Sequence, residues 1–323
     1  MDEFALIRQY FDWHDLTHPA FALGVGDDAA VLNLNGQLAV SSDMLIADQH
    51  FPATTRAYAI GYKALAVNLS DLAAMGATPL GFTLSLGLPT ADLAWLAEFS
   101  KGLHALAAKH QCALIGGDTV RAPVLSIAIT VMGTLPEGRC IRRDKARAGD
   151  QLCVSGPIGD AALGLKLVLE PNQIPKGLSE QHRQYLQQRL DQPEPCVSQG
   201  QAALSWVQAG LDVSDGLLQD AGHLAKASKV AVVIEPDLIP RSRAVDAWLA
   251  ARPDDFALLD RGGDDYQLLF AVAKADLPQL LELGFTRIGF VSDDRPAGVY
   301  LAGSDQCVSD AGFKHFGQLE KPS

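Results

Sequence analysis

The chain is short of positive charge. Across 323 residues, 26 lysines and arginines stand against 38 aspartates and glutamates, a formal net charge of -12. Such a field repels polyanions, so it argues against general binding of nucleic acid or of an anionic membrane surface, and any phosphate ligand must come with cations. Cysteine is scarce too: Cys112, Cys140, Cys153, Cys196 and Cys307 are odd in number, scattered and without a C-x-x-C pair. That pattern fits a reducing compartment better than a disulfide framework. No apolar run approaches the roughly 18 residues of a membrane span. Met1-Asp2-Glu3-Phe4 is acidic where a secretory signal is basic, and the expectation is a cytoplasmic protein. Two nucleotide and metal motifs are also missing. The absence of G-x-x-x-x-G-K-[ST] disfavours a P-loop enzyme, and the absence of a D-x-[DN]-x-[DN]-G loop weakens a role in storing divalent metal.

What is present is an ordinary globular composition, 48% hydrophobic and 20% charged, in a chain longer than one core usually supports. Two α/β domains are expected, residues 1–140 and 141–323, joined through an aperiodic stretch at 136–150 rich in Gly, Arg and Lys. Residues 37–46 alternate like a strand, and Asn35-Gly36 ahead of them predicts a hairpin with 29–34 as the partner strand. An Ala- and Leu-rich helix is expected over 58–75 with Gly76 as its stop, placing Asn68 and Asp71 on one face. Strands at 81–88, 113–115 and 124–132 and a helix at 91–110 complete the first half. The second half alternates similarly: strands at 151–155, 230–234, 266–272 and 286–291, and helices from 160 and near 180–190, 196–206 and 217–227.

The aspartates recur beside glycine or serine: Gly26-Asp27-Asp28, Ser41-Ser42-Asp43, Asp71, Gly116-Gly117-Asp118-Thr119, Asp212-Val213-Ser214-Asp215-Gly216 and Gly262-Gly263-Asp264-Asp265. Most are expected at strand ends or turns. Glycine there allows close backbone approach to a ligand, and carboxylates are hard oxygen donors suited to Mg²⁺. Singly, each is also an ordinary surface turn. Their recurrence points to several cations that carry nucleotide phosphates. Gly24-Val25-Gly26-Asp27-Asp28-Ala29 matches the dinucleotide fingerprint G-x-G-x-x-A, with Asp48 about 20 residues on. A Rossmann loop must open a helix, whereas a hairpin is expected here and two carboxylates occupy the loop, which disfavours a nicotinamide dehydrogenase.

Together, Gly24 to Ala30, Lys63-Ala64-Leu65-Ala66-Val67-Asn68-Leu69-Ser70-Asp71-Leu72-Ala73-Ala74-Met75-Gly76-Ala77, Leu114 to Thr119 and Asp212 to Leu217 resemble the thiamine-monophosphate kinase family, over nearly the whole chain. That family belongs to the aminoimidazole ribonucleotide synthetase-like superfamily. The resemblance implies a two-domain α/β fold whose N-terminal domains pair into a homodimer across a shared β-barrel. It implies ATP-dependent phosphorylation of thiamine monophosphate to the diphosphate, with several Mg²⁺ ions. By position it makes Asp28, Ser41, Ser42, Asp43, Asp71, Asp118, Asp212 and Asp215 metal-site residues, Asp71, Asp118 and Asp212 being central to catalysis. Gly117, Asp118, Arg143 and Ser214 become ATP contacts, and His50, Asp264 and Phe313 substrate contacts.

The family commonly carries Glu at the positions of Asp264 and Gln267, and Thr within the stretch Ser41-Ser42-Asp43. Selenophosphate synthetases use an N-terminal cysteine, but the first here is Cys112; the hydrogenase-maturation enzyme uses a C-terminal one, but this chain ends Glu320-Lys321-Pro322-Ser323. An aminoimidazole ribonucleotide synthetase remains the nearest alternative, and the long Asp71 motif fits the thiamine enzyme better.

Overall fold

A computed structural model describes residues 3–13, 15–16, 18–25, 29–256 and 261–308. In chain order its elements are α1 (Glu3–Tyr10), β1 (Phe21–Leu23), β2 (Val31–Leu32), β3 (Gln37–Ile46), α2 (Ala57–Met75), β4 (Thr78–Leu88), α3 (Leu93–Lys109), β5 (Ala113–Arg121) and β6 (Ser126–Leu135). They continue with β7 (Gln151–Val154), α4 (Asp160–Leu169), α5 (Glu180–Asp191), α6 (Val197–Ala203), β8 (Val207–Val213), α7 (Leu217–Ser228), β9 (Ala231–Ile234), α8 (Arg243–Ala251), β10 (Gln267–Val272), α9 (Leu277–Glu282), β11 (Thr286–Ser292) and β12 (Gly298–Leu301). The chain forms two compact units: residues 1–142 with 191–208, and residues 143–190 with 209–323. Among the described residues no helix is long and apolar enough to cross a membrane.

The first unit is built on a four-stranded sheet of order β3-β6-β4-β5, with β4 and β5 parallel and the other pairs antiparallel. α2 packs against this sheet, α3 and α6, so it is buried nearly all round. A helix apolar on every side is what such a position requires. Its small residues let neighbours come close: a Cβ at Gly61 would lie 2.1 Å from the Phe99 carbonyl oxygen, and one at Gly102 of α3 would lie 1.9 Å from that of Tyr58. The helix ends as expected. Gly76 takes φ 73°, and Ala77 N–H reaches back to the Leu72 carbonyl at 2.8 Å, a Schellman stop.

Other expectations are corrected here. Residues 29–34 do not form a hairpin with β3: β2 pairs antiparallel with β1, and β3 pairs along its whole length with β6. Gly36, at φ 92°, serves instead to bring the start of β3 against the end of β6, since a Cβ there would sit 2.7 Å from the Leu135 carbonyl oxygen. The expected short strand at 113–115 runs on to Arg121, so Gly116 to Thr119 lie inside β5 and not in a turn. The helix expected to Trp206 stops at Ala203, and β8 starts at Val207.

The second unit holds a six-stranded mixed sheet of order β12-β9-β11-β7-β10-β8. β9 and β10 are buried at every residue, the signature of strands covered on both faces. One cluster joins Leu152, Val154, Leu211, Val213, Leu269 and Ile288 to Leu217, Leu218 and Leu224 of α7. Another packs Leu163 and Leu167 of α4, Leu186 of α5 and Trp248 of α8.

Candidate active site

In the first unit, the three-residue spacing of Asn68 and Asp71 puts both on the side of α2 that meets β3. Asn68 Oδ1 accepts the Asp43 backbone N–H at 3.1 Å while its Nδ2 donates to the Ala64 carbonyl at 3.0 Å. Asp71 Oδ2 accepts the Ser41 hydroxyl. Alternation along a strand then fixes the rest. Ser41 and Asp43 share the face toward α2, and Ser42 stands on the other. There its Oγ donates to the Ile129 carbonyl at 3.0 Å and lies 3.0 Å from Thr130 Oγ1. The structure thus gathers Ser41, Asp43 and Asp71 and turns the Ser42 hydroxyl away from them.

Asp118 occupies the opposite edge strand, exposed and in register with Ser85 of β4. Three strand spacings, about 14 Å, separate β3 from β5 along the sheet. Beside it, Gly117 has φ 153°, and a Cβ there would be 1.9 Å from the Leu84 carbonyl oxygen. The same test at Gly116 finds only Thr83 Cγ2, at 3.9 Å, so Gly117 is the position that needs glycine. His50 follows β3 in a turn. Its Nδ1 accepts the Ile46 N–H at 3.0 Å, which places the proton of the neutral ring on Nε2.

In the second unit, buried Asp212 is the penultimate residue of β8, and beyond Val213 the chain turns through Ser214, Asp215 and Gly216 into α7. Gly216, at φ 117°, has no room for a Cβ, which would approach Arg261 backbone atoms to 2.9 Å. The turn is bonded to the loop carrying Asp264: Asp264 N–H donates to the Ser214 carbonyl and Tyr266 N–H to that of Val213, both at 2.8 Å. Asp264 and Tyr266 have φ of 71° and 50°, a conformation that costs a non-glycine residue of order 1 kcal/mol or more. Between them, buried Asp265 anchors the loop to the N-terminus of α4, accepting N–H from Gly159 at 2.7 Å and Ala161 at 3.2 Å. Burial pushes its carboxyl up to about 7, against the pull of those two bonds. The Asp264 carboxylate accepts the Tyr266 hydroxyl at 3.0 Å.

Two residues at this turn were missed by sequence reasoning. Asp220 Oδ2 accepts the backbone N–H of both Ser214 and Asp215 at 2.9 Å. Burial first, then the negative charges of Asp212 and Asp215, push Asp220 up to about 8, opposed by those two N–H bonds. His223 lies one turn further along α7, and ligand atoms of Asp215, Asp220 and His223 all fall within 4.8 Å of one another. The legible signal was the i, i+3 spacing of Asp220 and His223 directly after Asp215-Gly216.

Arg143 is exposed, and its carbonyl accepts the Ser228 hydroxyl at 2.8 Å at the far end of α7. The 12 residues of α7, about 18 Å of helix, separate that anchor from the Asp215 turn. Asp28 and Phe313 lie outside the described residues.

A family model described as AIR synthase related protein, N-terminal domain, matches residues 26–135. The thiamine-monophosphate kinase of Salmonella typhimurium is 41% identical over 90% of this chain and 91% of its own length. The crystal structure of thiamine-monophosphate kinase from Stenotrophomonas maltophilia K279a has a TM-score of 0.85 at 43% identity, covering 94% of this chain and 97% of that one. AaThiL complexed with AMPPCP and TMP has a TM-score of 0.80 at 31% identity, covering 90% and 92%. The α/β fold, the acidic turns and these likenesses agree, and the chain belongs to the thiamine-monophosphate kinase family.

Proposed function

We propose that the chain transfers the γ-phosphoryl group of ATP to thiamine monophosphate, releasing thiamine diphosphate and ADP, with Mg²⁺ held by its clustered carboxylates. The nucleotide and acceptor follow from family membership and from the relative seen with AMPPCP and TMP. The metal is this chain's own chemistry. The observation that carries it is the geometry of the β8–α7 turn, where ligand atoms of Asp215, Asp220 and His223 fall within 4.8 Å of one another, with Asp212 just before them near the end of the strand. Carboxylate oxygens gathered so closely suit a hard divalent cation. Asp43, Asp71 and Asp118 in the first unit, with Asp212 and Asp215 in the second, would hold more than one ion. Asp28, Ser41 and Ser42 join them as proposed metal-site residues on the strength of the family pattern.

Bound Mg²⁺ supplies neutralisation of phosphate charge in a protein of formal net charge -12. The remaining roles fall to protein groups. Gly117 contacts the nucleotide through its backbone, and Ser214 and Arg143 donate to it. His50 and Asp264 contact the substrate, and Phe313 stacks on a thiamine ring. A phosphate monoester is already anionic near neutral pH, so positioning and charge stabilisation suffice and no general base is required.

A homodimer is the proposed assembly. β3 turns Leu38, Val40 and Met44 outward at 45%, 57% and 51% exposure, on the face opposite α2. An apolar sheet face of this kind suits a second copy of the sheet. A cytoplasmic location is proposed in keeping with the free thiols of Cys112, Cys140, Cys153, Cys196 and Cys307.

Isothermal titration with ATP tests the metal reading. Binding is expected with Mg²⁺ present and lost after chelation; equal binding in both conditions overturns it. Metal binding with no response to ATP supports the metal-storage alternative instead.

A further inference from the structure

We propose that Asp220 is a positioning residue for phosphoryl transfer, setting the Asp212–Gly216 turn in the conformation that presents its ligands. This rests on the reading of Asp212, Ser214 and Asp215 as metal and nucleotide contacts. Asp220 belongs to the first turn of α7, yet its side chain reaches backward past the helix start. One oxygen, Oδ2, collects the N–H groups of Ser214 and Asp215. Asp220 is 4% exposed and the two bonds are part-buried, so losing the acceptor leaves two donors with restricted access to water.

The consequence is directional. With both N–H groups turned toward Asp220, the Ser214 carbonyl points the other way and accepts Asp264 N–H. Gly263 crosses at a distance that leaves no room for a Cβ, which would lie 2.4 Å from the Ser214 oxygen. The peptide planes of the turn are therefore fixed from both sides, by Asp220 within and by the Gly263-Asp264 backbone without. Gln219 Nε2 adds a bond to Asp215 Oδ2 at 3.0 Å. Asp220 acts through Ser214 and Asp215, and contact with substrate is not part of its role.

The test compares Asp220→Ala, Asp220→Asn and Asp215→Asn by MgATP titration calorimetry, steady-state kinetics and thermal midpoint. An asparagine keeps an acceptor oxygen for the two N–H groups; an alanine does not. Asp220→Ala is expected to raise KM for MgATP and the half-saturating Mg²⁺ concentration by about tenfold or more, with kcat changed less, and Asp220→Asn to recover most of that loss. Should Asp220→Ala fail to fold, Asp220→Asn decides: KM within about threefold of the parent supports the proposal. Asparagine as damaging as alanine, or an alanine variant with unchanged KM, overturns it. If Asp215→Asn leaves MgATP binding intact, the metal and nucleotide reading of the turn falls and takes this inference with it. If Asp215→Asn abolishes binding while Asp220→Ala leaves KM for MgATP unchanged, the positioning role alone falls.

Discussion

Asp71 on α2 accepts a hydrogen bond from the hydroxyl of Ser41 on β3, across a helix–strand contact that Asn68, three residues earlier, reinforces through the backbone of Asp43. A long helix buried nearly all round thus delivers one carboxylate to the strand that carries Ser41-Ser42-Asp43. The rigidity of α2 between the sheet, α3 and α6 is what makes that carboxylate's position dependable.

Asp71→Asn keeps the volume and an oxygen to accept the Ser41 hydroxyl but removes the charge. Turnover is expected to fall by about 10²-fold or more, with an unchanged far-ultraviolet circular dichroism spectrum. Near-normal turnover of thiamine monophosphate would remove Asp71 from the metal-site assignment. Asp118→Asn is expected to behave likewise.

Gly117→Ala and Gly116→Ala form a matched pair. A methyl at 117 collides with the Leu84 backbone, whereas one at 116 meets only a side-chain methyl at ordinary contact distance. Urea unfolding should show Gly117→Ala destabilised by about 2 kcal/mol or more and Gly116→Ala by less than about 1 kcal/mol. Equal losses would mean that the close approach of β5 to β4 is not what glycine serves at 117.

The difference between these two glycines also marks how far sequence reading reached. Glycine adjacent to Asp118 was legible as a close-approach position, but Gly116 and Gly117 were read as part of a turn, because two adjacent glycines are normally punctuation. Pairing with β4 carried the strand through them. The Asn35-Gly36 signal failed for a related reason. A turn signal is local, and the partner of β3 proved to be β6, far along the chain, so long-range pairing overrode it. The 3.6-residue period placed Asn68 and Asp71 on one face correctly, and Gly76 ended α2 as read. Asp220 and His223 escaped because acids and histidines on a helix usually form a solvated face; only the fold reveals that Asp220 is buried and turned back toward Ser214.

Asp255 gives a pH prediction for the second unit. Its carboxylate accepts bonds from Lys166 Nζ and Trp248 Nε1, both at 2.8 Å. Burial acts to raise its pKa, but those bonds and the charges of Lys166 and Arg252 outweigh it and hold the carboxyl below its ordinary value of 3.8. A depressed folded-state value stabilises the protein above the unfolded-state pKa, and that stabilisation is lost as pH falls below about 4. Asp255→Asn should lower the thermal midpoint at neutral pH and flatten its decline on acidification. A variant with the parent's full acid slope would show that the pair contributes nothing to it.

The most direct measurement is product analysis: thiamine monophosphate, ATP and Mg²⁺ incubated with the purified chain, separated by chromatography, with free thiamine and an aminoimidazole ribonucleotide precursor as control acceptors. The expected result is thiamine diphosphate and ADP in equal amounts, neither formed after chelation of the metal. Folded, MgATP-binding protein that makes no thiamine diphosphate, or that forms ADP only with a control acceptor, would contradict the assignment.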